Sequence, residues 1–521
     1  MKIVTAQQMR ELEEQSEEKY SVTPASLMEN AGRGIAEWTS KFSLQRDLPK
    51  NIIIICGGGN NGGDGFVSAR FLSENGFNVN LILLINEQDL KGPAKVNFHK
   101  IKKNRRINLY KITNIEKLQG IENLFKDTSI ILDCMLGTGI KGEARGFIRE
   151  VIEFVNQISG KYLLKVVAVD IPSGMDANTG TGLCVNTYAT LTMGLPKVGL
   201  VKPGLEDKTG YIIPVDIRIP KGLINEIKSN LEYLTAGDFY DVLHERKPSS
   251  HKGKFGHVLV LAGSPQYTGA AYLCAQGALR VGSGLVTLGV PKSLRTVYQI
   301  KANEYMTLGL SETEAGTLSI DAYECIMEFL EKADALAIGP GLSMHPDTIK
   351  LVKKIISASD KPLVVDADGI NAIAEELLVL RKAKASLVLT PHLGEMAKLL
   401  HSSVKSVQSD KWKITKELAD KYGVTIALKG FHSTIAGSDK KIYINSSGNP
   451  YMASGGIGDI LTGMISGFLA QGLSPLESAK LGVYLHGTAG DLAASEAIGA
   501  GILASDLICK IPFAISSIVK Q

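Results

Sequence analysis

The stretch Ile52–Gly65, IIIICGGGNNGGDG, decides the fold. A short, uninterrupted apolar run suits a strand buried on both faces, as in a parallel sheet. Ile52–Cys56 is therefore read as a strand, and a helix is predicted over roughly Phe66–Asn75. Between them lie six glycines in ten residues, Cys56–Gly65. Gly57, Gly59 and Gly62 fit the GxGxxG spacing, in which backbone N–H groups at a helix start face an anion. So glycine-rich a segment would match many patterns, and a tight strand-to-helix turn would also produce it. Asn60, Asn61 and Asp64 carry more information, because a turn that only packs needs neither two amides nor a carboxylate.

Outward from this unit the pattern repeats. Val79–Ile85 reads as a second strand, and Ser129–Cys134 and Lys165–Asp170 as further ones, each bringing an acid (Asp133, Asp170) to a glycine-rich loop. Strands alternating with helices predict a doubly wound α/β sheet. A second alternation follows: strand His257–Leu261, helix Ala270–Val281, strand Leu285–Val290, then Ala335–Ile338, Leu363–Val365, Leu387–Leu389 and Thr425–Leu428. Thr434–Ala436 and Ile442–Ile444 read as an antiparallel edge. The join is expected near a Pro-flanked strand, Ile217–Pro220, giving domains 1–230 and 236–521. The two halves share no motif, which points to a fusion and not a duplication.

Composition narrows the class. At 521 residues two large domains or three smaller ones are expected. With 44% hydrophobic and 21% charged residues the chain has the material of ordinary globular cores. A net charge of +4 gives no reason to expect a nucleic acid or other polyanion. The basic run Lys102, Lys103, Arg105 and Arg106 has no interleaved aromatics and reads as a solvated connection. None of the six cysteines forms a CxxC pair and the histidines lack HxH or HExxH spacing, so reduced thiols and no zinc site are expected. The charged N-terminus and the absence of long apolar runs predict a cytoplasmic protein with no membrane partner.

The first half brings several oxygen-bearing residues to strand ends. Asp133 precedes LGTGIKGEARG, Leu136–Gly146, whose Gly137, Thr138, Gly139 and Gly142 offer backbone donors. Asp170 opens the loop of VDIPSGMDANTG, with Ser173 beside Pro172 and Gly174. Parallel strands would deliver Asn61, Asp133, Asp170 and Ser173 to one sheet edge. Asn61, Asp133 and Ser173 supply only hard oxygens with little net charge, which suits a monovalent cation such as potassium better than zinc. Any one of them alone would read as a loop cap.

The second half contains no GxxxxGK[ST]. Its most informative segment is MASGGIGDILTGMISGFLAQG, Met452–Gly472. Gly455, Gly456 and Gly458 precede an apolar helix, so free N–H groups there would form an anion hole. Asp459, in the first turn, is expected to be ionised at pH 7 by the helix dipole and to act on an acceptor hydroxyl; alone it would read as an ordinary helix-start acid. Further motifs are IGPGL (Ile338–Leu342), VDADGIN (Val365–Asn371), LTPHLGEM (Leu389–Met396) and LKGFHST (Leu428–Thr434).

The motifs NNGGDGFVSAR, LGTGIKGEARG and VDIPSGMDANTG, with LMENAG at Leu27–Gly32, resemble the epimerase domain of the NAD(P)H-hydrate repair enzymes. From about Lys252 to Asp506 the chain resembles the ribokinase-like dehydratase of the same family. The resemblance implies an α/β protein, a Rossmann-like domain followed by a ribokinase-like α/β/α domain. The first would interconvert the R and S epimers of hydrated NADH and NADPH. The second would dehydrate the S-hydrate to NAD(P)H, with ADP giving AMP and phosphate. It further implies potassium on Asn61, Asp133 and Ser173, and hydrate contacts from Asn60–Asp64 (Asn60, Asn61, Gly62, Gly63, Asp64), from Gly137, Thr138, Gly139, Ile140, Lys141, Gly142 and Glu143, and from Asp170, the carboxylate best placed to move a proton. In the dehydratase Lys429, Gly430, Phe431, His432, Ser433 and Gly458 would bind the nucleotide. Ala270, Gly341, His392 and Asp459 would contact the hydrate, with Asp459 as base and magnesium bridging the phosphates. A homo-oligomer is expected, as family members commonly assemble.

The sequence departs from the family pattern at Ser343, Leu393, Phe431, His432 and Ile457, and the last two bear on the choice of phosphoryl donor. A ribokinase-like vitamin or sugar kinase would carry the same Asp459 and glycine hole. A non-catalytic N-terminal binding module is a further alternative. A dehydrogenase would rest on GxGxxG and Glu87 alone.

Overall fold

The computed structural model describes residues 1–139, 142–243, 246–301, 303–496 and 501–519. The chain divides into two compact units, Lys2–Ser229 and Asn230–Gln521 together with Met1. Among the described residues the first unit is built on β1 (Asn51–Cys56), β2 (Asn78–Leu83), β3 (Ile107–Lys111), β4 (Ile130–Cys134), β5 (Lys165–Val169), β6 (Ala189–Met193) and β7 (Tyr211–Val215). Their order is β3-β2-β1-β4-β5-β6-β7 with every neighbouring pair parallel. Ile52–Ile55 are buried because both sheet faces are covered. Ile53 and Ile55 pack with Ile82, Ile131 and Val155, the last from a helix over Gly146–Tyr162. Each such side chain contributes roughly 1.5–3 kcal/mol by leaving water. The chain runs outward from β1 through β2 to β3 and then returns to β4 on the other side. The connections leaving β1 and β4 therefore part, and a crevice opens at their C-terminal ends.

Two helices, α1 (Ala6–Tyr20) and α2 (Pro24–Gln45), precede β1 and begin at Thr5 and Thr23, whose side chains cap them. The helix after β1, α3, spans Asn60–Glu74 and not the expected Phe66–Asn75. Glycine and asparagine are poor helix formers, so Asn60–Asp64 read as loop. In the structure they form the first turns of α3, held by close packing. A Cβ on Gly62 would stand 2.1 Å from the Gly57 carbonyl oxygen. The strand expected at Ile217–Pro220 does not form; the last strand of this sheet is β7, at the edge, where Pro214 can omit its N–H.

The second unit has a sheet of β8 (Leu231–Tyr233), β9 (His257–Leu261), β10 (Leu285–Pro291), β11 (Met306–Leu310), β12 (Ala335–Ile338), β13 (Leu363–Val365), β14 (Leu387–Leu389), β15 (Thr425–Leu428), β16 (Thr434–Ala436) and β17 (Ile442–Ile444). The order is β11-β10-β9-β12-β13-β14-β15-β16-β17-β8. It is parallel from β11 to β15 and antiparallel at β15–β16–β17, and β8 adds parallel to β17. Alternate residues feed two cores: Val258, Val260, Ala335 and Ala337 one, Leu259, Leu261, Leu336 and Ile338 the other. The first core also contains α4 (Thr268–Arg280), α5 (Ile457–Ala470) and α6 (Pro475–Glu496). Helices thus cover the sheet on both sides, the α/β/α arrangement the resemblance implied. Strand β8, which the expected boundary at 236 left outside either domain, is the sheet's edge, with Tyr233 1% exposed. Cys56, Cys134, Cys184 and Cys274 are buried thiols, whereas Cys325 and Cys509 are exposed. Among the described residues no helix is long and apolar enough to cross a membrane.

Candidate functional sites

The crevice of the first unit is a cavity of about 720 Å³. Its wall includes Asn60, Asn61 and Asp64 of α3, Gly137, Thr138 and Gly139 after β4, Asp170 after β5, and Glu13 of α1. Gly62 and Gly63 are not in that wall. They pack behind it, against Gly57 and against the Met28 side chain. Gly142 and Glu143 do not line it either, and Ile140 and Lys141 lie outside the described residues.

Asn61 lines the cavity, whereas Asp133 and Ser173 are fully buried and not in its wall; Leu136 links the three. Ser173 Oγ donates to Asp133 Oδ1 at 2.5 Å and Ser173 N donates to Oδ2 at 2.8 Å. Met135 N also donates to Oδ1, at 3.2 Å, and Leu136 N to Ser173 Oγ, at 2.9 Å. Asn61 Nδ2 donates to the Leu136 carbonyl at 2.9 Å. This leaves Asn61 Oδ1 buried without a partner. Burial pushes the Asp133 carboxyl up to about 6, although the three hydrogen bonds oppose it. An orphaned amide oxygen beside a buried carboxyl and a hydroxyl fits an oxygen-liganded monovalent cation.

Asp170 has φ +66, a left-handed conformation that costs a non-glycine residue about 1–3 kcal/mol. Its carboxylate is held by Lys197, whose Nζ donates to Oδ1 at 2.5 Å, to Thr192 Oγ1 at 3.1 Å and to the Met193 carbonyl at 2.8 Å. Lys197 is 1% exposed. Sequence reasoning found Asp170 and passed over Lys197; a lone lysine in the apolar run MGLPKVGL was the available signal. Four more carboxyls line this cavity, Glu13, Glu14 and Glu17 of α1 and Asp64 of α3, of which Glu14 and Glu17 are exposed. Asp64 is held well above the usual carboxylate range by burial, then by Asp170 and Glu13. Glu13 is pushed up to about 7 by burial and by Asp170, against Lys197 and Arg10.

In the second unit a cavity of about 640 Å³ opens at the N-terminus of α5. Lys429, Gly430, Phe431, Ser433, Gly458 and His392 line it, as does the departing residue Ile457, which presents an apolar side chain. His432 does not line it. Its backbone is left-handed (φ +49), its ring packs edge-on against Tyr233 at 5.9 Å, and burial pushes its pKa down to about 3. Gly456 caps α5 with φ +86, so the first-turn N–H groups of α5 have no helical partner. His392 caps the helix Leu393–Leu399: its Nδ1 accepts from Gly394 N (2.9 Å) and Glu395 N (3.2 Å), and Glu395 Oε2 accepts from His392 N (2.8 Å). Ala270 and Gly341 lie together elsewhere, where the sheet order reverses between β9 and β12. A Cβ on Gly341 would be 3.1 Å from that of Ala270.

Between these places runs a line of charge that the sequence analysis quoted but did not assign. Asp366, 1% exposed, accepts from Lys429 Nζ at 2.6 Å and from Thr462 Oγ1 at 2.5 Å. Asp368 accepts from Ser343 N at 2.8 Å. Asp459 is not held fully ionised at pH 7, contrary to the expectation from the helix dipole alone. Burial, followed by Asp366, pushes its carboxyl up to about 7, with Lys429 opposing. A helix end is worth only ~0.3–1 kcal/mol, too little to offset burial beside other carboxylates. Glu395 is raised for the same reason.

The arrangement is that of two ligand sites, one rich in carboxyls around an oxygen cluster, the other a helix-start anion hole with a lysine and an acid. Residues 258–513 match the family model described as NAD(P)H-hydrate dehydratase, and residues 24–199 that of the YjeF-related protein N-terminus. A bifunctional NAD(P)H-hydrate repair enzyme of Moorella thermoacetica is 40% identical over 100% of this chain and 98% of its own. The chain belongs to the bifunctional NAD(P)H-hydrate repair enzymes. One from Thermofilum pendens is 36% identical over 99% of this chain and 97% of its own. An ADP/ATP-dependent NAD(P)H-hydrate dehydratase of Bacillus subtilis, co-crystallised with ATP and Mg2+, is 29% identical, with a TM-score of 0.49 over 56% of this chain and 100% of its own. The repair enzyme accordingly has an epimerase half in the first unit and a dehydratase half in the second.

Proposed function

We propose that the cavity at β1, β4 and β5 epimerises hydrated NADH and NADPH with potassium held by Asn61, Asp133 and Ser173. We further propose that the cavity at α5 dehydrates the S-hydrate using ADP. The observation that carries the dehydratase reading is Lys429, which lines the cavity with Gly458 and is bonded to the buried Asp366; Asp459, half-buried and not itself in the cavity wall, lies within the field of both charges. Gly458 and Lys429 are close enough that a Cβ on the former would lie 3.4 Å from Nζ. Backbone N–H groups at the start of α5 and the Lys429 ammonium would hold the transferring phosphoryl group, with Gly430, Phe431 and Ser433 around the nucleotide. Asp459 would take the proton of the hydrate hydroxyl as its oxygen attacks the β-phosphorus of ADP and the bond to AMP breaks. Phosphate then leaves the ring carbon, pushed by the ring nitrogen's lone pair, and loss of a proton from the neighbouring carbon regenerates the dihydronicotinamide. Magnesium, when bound, neutralises phosphate charge, and Asp366, Asp368 and Glu395 are the carboxylates available to hold its hydration shell.

In the first site Asn61, Asp133 and Ser173 would hold the potassium ion, which would supply positive charge to the site. The buried, unpartnered Asn61 Oδ1 supports that reading. Asp170, fixed by Lys197, faces the strand-end loops and would steady the cationic iminium formed when hydroxide leaves as water.

The test is to incubate the protein with a mixture of R and S hydrates plus ADP, or ATP in its place, and follow dihydronicotinamide absorbance, AMP and phosphate. Full recovery of both epimers with equal phosphate is expected. Recovery of only the S fraction would remove the epimerase reading, and a stable phosphomonoester would mean a kinase. Exchanging potassium for sodium should slow R-hydrate recovery more than S-hydrate recovery.

A further inference from the structure

Epimerisation inverts a carbon, so a hydroxyl must leave from one face of the ring and water must add to the other. One fixed carboxylate does not serve both faces, and Asp170 Oδ1 is already engaged by Lys197. Among the described residues four other carboxyls of this cavity, Glu13, Glu14 and Glu17 on α1 and Asp64 on α3, have side chains without a hydrogen bond; Glu14 and Glu17 are exposed to solvent, which leaves Glu13 and Asp64 as the two withdrawn from it. They come from different helices. Glu13 is half-buried and Asp64 is 8% exposed. We propose that Glu13 is the proton-transferring group of the epimerase site, with Asp64 as its counterpart. This rests on the epimerase reading of the cavity and adds the missing acid–base residues to it.

In the forward step the ring carbon–oxygen bond breaks. Its electron pair goes to oxygen, which takes the proton from Glu13 and departs as water. The nitrogen lone pair forms the carbon–nitrogen double bond. Water then adds to the opposite face and its proton passes to Asp64, restoring a neutral hydrate. The reverse reaction runs with the roles exchanged. The groups facing Glu13 are Asp170 after β5, Lys197 after β6, Arg10 and Glu14 on its own helix, and Asp64 on α3. Its two nearest influences, burial and the Asp170 charge, keep it titrating near neutrality, where a proton donor is most useful.

The test measures R-to-S interconversion by the full chain without ADP, using chromatography. Wild type must interconvert the hydrates above the spontaneous rate; if it does not, the epimerase reading itself falls. Given that activity, Glu13→Gln should lose ~10²–10⁴-fold in rate. It should also lose the inflection near pH 7 that wild type shows in kcat/KM. Glu13→Asp should recover part of both. Asp64→Asn should slow both directions. ADP-dependent dehydration of pure S-hydrate, housed in the other unit, should be unchanged in all three. A Glu13→Gln protein that keeps its rate overturns the proposal. So does one that is slower but keeps the inflection, since that is the behaviour of a merely structural residue. If Glu13→Gln does not fold, the pH profile of Glu13→Asp decides, and an inflection at an unchanged pH overturns it.

Discussion

Asp459 sits where a helix dipole favours negative charge, yet its carboxyl is pushed up to about 7 by burial and Asp366. The sign of the pH dependence follows. As a base Asp459 must be ionised, and the ionised fraction grows as pH rises through about 7. Dehydration of S-hydrate should therefore climb from acid to neutral pH and level off above it. Asp459→Asn should be slower by ~10²–10⁴-fold and lose that rise. Initial rates at saturating ADP check this, and an unaltered pH profile would make Asp459 a helix-start acid only. Lys197 allows a second prediction. It is fully buried on Asp170, so Lys197→Met leaves a carboxylate unpaired in the protein and should cost ~3–5 kcal/mol of stability. Denaturant unfolding of the epimerase half measures it, and the additional change Asp170→Asn should restore part of the loss. Asp170 and Asp459 were legible because each stands at a strand or helix end inside a glycine motif. Lys197, Glu13 and Asp366 were not, because what defines them is a partner far away in the chain: Lys197 is 27 residues from Asp170, and Lys429 63 residues from Asp366.

At the scale of elements, runs such as IIIIC and HVLVL were readable as buried parallel strands, since helices on both sheet faces remove the usual alternation. Helix starts were less readable. The residues Asn60–Asp64 have poor helix propensity, and close packing of Gly62 on Gly57 and of Gly63 on Met28 and Ala94 draws them into α3. That gives a paired prediction. Gly62→Ala places a methyl 2.1 Å from the Gly57 carbonyl oxygen, a backbone atom that cannot rotate away. It should force the first turn of α3 outward, cost about 1–3 kcal/mol and displace Asn61 and Asp64 from the cavity. Gly59→Ala meets nothing within 4 Å at ordinary φ and should be tolerated. Thermal unfolding and epimerisation of the two variants separate the effects. Equal behaviour would show that α3 can begin elsewhere without consequence.

At the scale of the whole molecule, alternation of strand and helix sufficed to predict two α/β domains and an end of the first near residue 230, but not where the second begins. The polar segment around residue 230 carries no hydrophobic pattern, and a three-residue strand gives too little period to be seen. The structure assigns Leu231–Tyr233 to the second sheet, where Leu231, Glu232 and Tyr233 pair with Ile442, Tyr443 and Ile444. A fragment starting at 236 would therefore expose the edge of β17 and remove the buried Tyr233 and Leu234. Losing one large buried side chain costs roughly 3–5 kcal/mol, and a bare, apolar edge strand templates aggregation. The prediction is that residues 230–521 form a soluble fragment that dehydrates S-hydrate only. The fragment 236–521 should unfold at lower temperature and aggregate on standing. Residues 1–229 should epimerise without ADP. Light scattering and thermal unfolding compare the two longer fragments, and hydrate assays follow each activity. If 236–521 were as stable as 230–521, β8 would be an ornament of the sheet and the division at 229/230 would have no energetic basis. If 230–521 were insoluble while the full chain is not, the second unit would depend on the first for its fold.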